Sequence, residues 1–115
     1  MTEDQMMEQI DRLRQLGKEI GIENTVWSVD KHNHDLFMDT VAFDHRYVFF
    51  VYADGWDDVK PLFSEGYTRP TWRDVWLAAD DLVRRSNDKH HIFLESARVV
   101  DEVNGALIVK VDFGS

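Results

Sequence analysis

Ten of this chain's fourteen aromatic residues fall between positions 43 and 76: Phe43, Tyr47, Phe49, Phe50, Tyr52, Trp56, Phe63, Tyr67, Trp72 and Trp76. Each ring brings about 150–250 Å² of burial with it, so a chain that concentrates its rings this way must build its core around that stretch. The rings run through three different local patterns. Tyr47–Ala53 is apolar on both alternating faces, which predicts a strand central in a sheet and covered on both sides. Trp72, Val75, Trp76, Ala79, Leu82 and Val83 recur at helical spacing and share one arc of about 120°. Between them, residues 54–70 carry Trp56, Phe63 and Tyr67 with no convincing periodicity, punctuated by Gly55, Pro61, Gly66 and Pro70.

The helical pattern is the sharpest local signal. Pro70 precedes Thr71, which is placed to cap a helix running from Trp72 to about Ser86, and Asp74 holds the reciprocal capping position. Asp80 with Arg84 and Asp81 with Arg85 form i,i+4 pairs in the favourable order, each adding only about 0.3 kcal/mol. Burying the two tryptophans adds several kcal/mol at roughly 25 cal/mol per Å², so the apolar face, not the ion pairs, decides where this helix sits.

A second helix is expected from about Glu3, where Thr2 and Gln5 have capping-box spacing. Met6, Ile10, Leu13, Leu16, Gly17 and Ile20 form its stripe, suited to packing on a sheet or to a dimer or partner face, while Gly17 and Gly21 leave its end open. Residues 25–53 read as strand, loop, strand, turn, strand, for which a meander is the simplest topology. Within them, Leu36–Phe43 reads as strand or helix. The runs His91–Val100 and Ala106–Phe113 flank Asn104-Gly105, a strong hairpin signal. Burial favours a bulge at Gly105, which puts Phe93, Ala97 and Val99 on one face with Leu107, Val109, Val111 and Phe113. The fold class expected is α+β: an N-terminal helix, a mostly antiparallel sheet of about five strands, and an amphipathic helix at about 72–86 packed on it. All 115 residues are expected to form a single domain.

Composition narrows function mainly by exclusion. Cysteine is absent, which removes disulfides, thiol nucleophiles and thiolate metal sites and fits a reducing, cytoplasmic setting. Twenty-two acidic against thirteen basic residues give a formal charge of −9, which repels phosphate backbones and anionic lipid over a Debye length of about 10 Å. Nucleic acid and membrane are therefore not expected partners. The polar N-terminus lacks the apolar stretch of a signal peptide, and no apolar run reaches membrane-spanning length.

Among residues suited to chemistry, His32 and His34 have the spacing of two ligands on one side of an extended chain, with Asp35, Asp44 and His45 within reach of a returning hairpin, but polar loop histidines without a ligand are the stronger reading, and no metal is expected. Asp54, Asp57 and Asp58 follow the most apolar strand, where carboxylates serve acid/base work or simply form a turn. No Gly-rich phosphate loop, nucleophile elbow or Ser/His/Asp arrangement is present, and no cofactor is implied.

The functional expectation is therefore a small acidic binding module without evident catalytic machinery, forming a homo-oligomer such as a dimer. Its candidate contact residues are Trp56, Phe63, Tyr67, Arg69, Asp54, Asp57, Asp58 and His45, because long aromatic loops usually serve binding. Two alternatives stand beside it. One is an acidic inhibitor or immunity-type protein that neutralises a basic protein partner. The other is a small-molecule site or enzyme with a His/Asp pair in an aromatic-lined pocket.

Overall fold

A computed structural model describes residues 2–29, 38–53, 60–87 and 90–114. In chain order the elements are α1 (Glu3–Ile20), β1 (Val26–Trp27), β2 (Val48–Tyr52), β3 (Leu62–Tyr67), α2 (Trp72–Ser86), β4 (Phe93–Val103) and β5 (Ala106–Gly114). The α+β class and the two helices match the sequence reading, but the sheet is mixed rather than mostly antiparallel. Its order is β1-β4-β5-β2-β3. β1 runs parallel to β4 and β2 parallel to β5, while β2–β3 and β4–β5 are antiparallel.

The expected meander over residues 25–53 is thus overturned. β1 and β2 lie apart, separated by the C-terminal hairpin, and the strand beside β2 comes from 62–67, inside the stretch read as a loop. The described part of Leu36–Phe43 forms no named strand; it makes a short 3-10 turn and an isolated antiparallel bridge between Val41 and Thr71. β3 runs parallel to β4 with β2 and β5 between them, so β3–α2–β4 is a split β–α–β unit.

Both helices begin where the sequence places them. Thr2 and Gln5 make the reciprocal capping bonds of α1, at 2.9 and 3.2 Å, and Thr71 and Asp74 do the same for α2. α1 ends at Gly21, whose φ of 94° is left-handed. There the Gly21 and Ile22 amides donate to the Lys18 and Gly17 carbonyls, a closing pattern that glycine adopts without steric cost. No helix among the described residues is long and apolar enough to cross a membrane.

α2 lies on one face of the sheet and forms the core with it. Trp76, Phe50, Leu82, Leu94, Val48, Val75, Val109 and Val111 are fully buried. The rings pack as a continuous chain through this layer: Trp76 against Trp27, Trp27 edge-on to Trp72, then Phe43, Phe50 and Tyr67, with successive centroids 5.4–6.2 Å apart. Edge-to-face and tilted contacts of this kind favour the ring quadrupoles beyond simple burial. Trp27 lies far from the crowded stretch in sequence and is brought into it by β1.

The hairpin corrects one detail of register. Asn104 and Gly105 both have positive φ, 51° and 83°, and Val103 pairs with Ala106, a two-residue turn rather than a bulge at Gly105. The extra residue is Val100, since Val99 pairs with Val109 and Asp101 with Ile108. The displaced bulge still brings Ala97 and Val99 onto the face of Val111 and Val109. A further irregularity at Glu95 puts Leu94, not Phe93, opposite Phe113, so Leu94 takes the core position expected of Phe93.

Candidate functional site

β3 is an edge strand held against β2 by a bulge. Phe49 pairs with Gly66 and Val51 with Phe63, so Ser64 and Glu65 together face Phe50. The Phe50 amide donates to Ser64 Oγ at 2.8 Å, and that hydroxyl donates on to the Glu65 carbonyl at 2.8 Å. The serine side chain thereby replaces the backbone acceptor that the bulge displaces. Gly66 lies under the Phe49 ring, where a Cβ would come within 3.2 Å of two ring carbons.

These pairings send the candidate aromatics to opposite faces. Tyr67 points to the α2 side and packs on Phe50 at 5.5 Å, whereas Phe63, on the far face, is 49% exposed. Ser64, Glu65 and Tyr67 of β3 and Ala78, Asp81 and Arg85 of α2 line an open cleft of about 460 Å³. Arg85 reaches across it, donating to the Phe63 carbonyl at 2.9 Å while lying 3.7 Å from Asp81. Burial, then the carboxylates of Glu65, Asp74 and Asp81, push the Tyr67 phenol above its ordinary value of 10.0. The cleft is thus lined by two carboxylates, Glu65 and Asp81, with one cation bridging its walls.

His45 and Arg69 sit at the end of the sheet where β3 leaves for α2. The Arg69 amide donates to the His45 carbonyl at 2.9 Å, and its side chain pairs with Asp44 at 2.7 Å. Arg69 adopts a left-handed φ of 47°, uncommon for a residue with a Cβ. His45 Nδ1 accepts from the Tyr47 amide at 3.2 Å, and its Nε2 lies 3.6 Å from Glu102. Thus Tyr67 contributes to the cleft, Phe63 contributes its carbonyl, and His45 and Arg69 belong to a separate ion-paired cluster. Asp54, Trp56, Asp57, Asp58, His32 and His34 lie outside the described residues. Among those described, no group of three or more His, Asp or Glu side chains is arranged to hold a metal ion.

Glu65, Asp81 and Arg85 were missed as site residues by sequence reasoning. Asp81 and Arg85 do approach one another as an i,i+4 pair, a signal that reads as ordinary helix support. Only the docking of β3 beside α2 turns that pair towards a cleft. The expected pairing of Asp80 with Arg84 is also corrected: Arg84 pairs with Asp81, and Asp80 is buried. There it accepts from the Glu23 amide at 3.2 Å, the Asn24 amide at 2.8 Å, Asn24 Nδ2 at 3.3 Å and the Thr25 hydroxyl at 2.8 Å. Thr25 Oγ1 in turn accepts from Trp76 Nε1 at 3.1 Å.

A second cleft, about 270 Å³, opens between the C-terminal half of α1 and β1, with Trp27, Trp76, Ile22 and Leu13 on its walls. A third, about 160 Å³, lies at the ends of β2 and β5 beside Tyr52, His91 and Asp112. No protein-family model matches this chain, and no curated protein or solved structure shows significant similarity to it.

Proposed function

We propose that this chain is a binding module, without a catalytic role, that grips an extended basic segment of a partner protein along β3 and the adjoining cleft. The observation that carries this reading is the coincidence of a sheet edge with an acidic cleft. β3 is the last strand of the sheet, and edge strands recruit extended peptides through main-chain hydrogen bonds, with neighbouring pockets selecting the side chains. Here the neighbouring groups are Glu65, Asp81 and the phenol of Tyr67. The carboxylates of Glu65, Asp74 and Asp81, which add to burial in holding the Tyr67 proton, favour lysine or arginine in the segment, and the net charge of −9 steers such a partner in. Arg85 occupies the Phe63 carbonyl until an incoming backbone amide takes its place. Phe63, half exposed on the opposite face, supplies an aromatic anchor beside the same strand.

Panning a displayed peptide library on the immobilised chain tests this. Selected peptides are expected to alternate basic and apolar residues and to weaken steeply between about 50 and 300 mM salt. Replacing Glu65→Lys and Asp81→Lys together should weaken them by about tenfold or more. Selection of neutral or acidic peptides, or wild-type affinity in the double variant, would sink the reading.

A further inference from the structure

Among the described residues, the longest open edge of the sheet is not β3 but β4. β1 pairs only with Phe93 and Leu94, and the Ser28 amide adds a bond to the Leu94 carbonyl. Among the described residues nothing pairs with the outer edge from Ser96 to Val103. From Arg98 to Val103 the residues are exposed, including three valines: Val99 at 52%, Val100 at 45% and Val103 at 47%. A long, apolar, unpaired edge is a template for another strand.

The side chains along this edge are complementary to themselves. Two-fold pairing of β4 with a second β4 is antiparallel and keeps each face of the sheet on its own side. Residues that meet across the axis must therefore share a face. Residues three apart on a regular strand lie on opposite faces, but the bulge at Val100 changes this for β4. Arg98 pairs with Lys110 and Asp101 with Ile108; Ile108 and Lys110 share a face, so Arg98 and Asp101 share one too. By the same reasoning Ala97 and Glu102, opposite Val111 and Leu107, share the other face. Ser96 and Val103, opposite Asp112 and Ala106, share the face of Arg98.

An axis between Val99 and Val100 satisfies all of these pairings at once. It sets Arg98 of each copy opposite Asp101 of the other, giving two cross-strand ion pairs around a centre of valines. From these observations we infer that the chain forms a homodimer through β4, with one sheet continuous across both copies. The dimer surface is distinct from the β3 cleft and stands whether or not that cleft binds a basic segment.

Sedimentation equilibrium of the whole chain from about 1 to 100 µM, where stable protein dimers form, is expected to approach twice the 13.5 kDa chain mass. Arg98→Asp alone and Asp101→Arg alone each place like charges opposite one another at two symmetric positions, and each should weaken the dimer by about tenfold. The double variant Arg98→Asp/Asp101→Arg restores opposite charges in exchanged places and should recover most of the affinity. Circular dichroism of each variant confirms that the fold is retained, and both side chains are exposed. A wild-type chain that stays monomeric throughout, single variants that dimerise like wild type, or a double variant as weak as the singles would each overturn the inference.

Discussion

At the scale of single residues, Asp80 shows how burial changes what a charge does. By spacing it is a surface acid four residues before an arginine, worth a few tenths of a kcal/mol. In the fold it is buried against the segment that leaves α1, and the Glu23, Asn24 and Thr25 donors converge on its carboxylate. Removing the carboxylate strands the buried Thr25 hydroxyl and the part-buried donors of Glu23 and Asn24, which costs far more than an exposed pair contributes. Asp80→Ala is expected to lower stability by about 3 kcal/mol, read from urea unfolding, whereas Arg84→Ala changes it by less than about 0.5 kcal/mol. Equal effects of the two would refute the network. Thr25 completes the link, since its hydroxyl donates to Asp80 while accepting from the Trp76 indole. One hydroxyl thus joins two side chains of α2 to the residue that leads into β1.

At the scale of elements, α2 was legible to the residue because every signal that defines it is local. The Thr71 cap, the Asp74 reciprocal bond and the apolar arc all lie within a few residues of one another. β3 was illegible for the opposite reason. Leu62-Phe63-Ser64-Glu65-Gly66-Tyr67 has its alternation broken by the bulge at Ser64 and Glu65 and carries a strand-weakening glycine. It is a strand because β2 offers a ladder and Phe49 covers Gly66. The candidate site divides along the same line: Phe63 and Tyr67 stood out as unexplained aromatics, while Glu65, Asp81 and Arg85 join Tyr67 only after β3 docks. Gly17 in α1 is a similar case, a helix glycine whose purpose lies in another element. A Cβ there would sit 3.1 Å from Trp76 Cη2, and that ring is buried and held by its bond to Thr25. Gly17→Ala gains about 1 kcal/mol in helix propensity, but overpacking a fixed ring costs about 1–3 kcal/mol. We expect a net loss of about 1 kcal/mol in thermal or urea unfolding; a stabilised variant would show that the ring yields.

At the scale of the whole molecule, the sheet is built from the centre outward. β5 and β2 occupy interior positions, and Val48, Phe50, Val109 and Val111 are completely buried. α1 is anchored through its C-terminal half, where Leu13 and Gly17 are buried, whereas Met7 and Ile10 are exposed. Amide hydrogen exchange should therefore be slowest in Val48–Val51 and Val109–Val111, at the rate of global unfolding. Glu3–Ile10 should exchange about a hundredfold faster or more through local opening. Equal protection of the two regions would mean that the first turns of α1 are covered in solution.

The sequence by itself determined both helices with their N-terminal caps, the hairpin at Asn104-Gly105, an interior strand within Tyr47–Ala53 and the α+β class. Each depends on residues close along the chain or on the apolar character of a single run. Only the tertiary structure decided that β2 lies beside β5 rather than β1, that β3 closes one edge, that Asp80 turns inward and that, among the described residues, nothing pairs with the outer flank of β4 beyond Leu94. Strand neighbours and buried carboxylates are chosen by contacts between residues far apart in sequence, and their free energy depends on the whole set of surfaces that must be covered together.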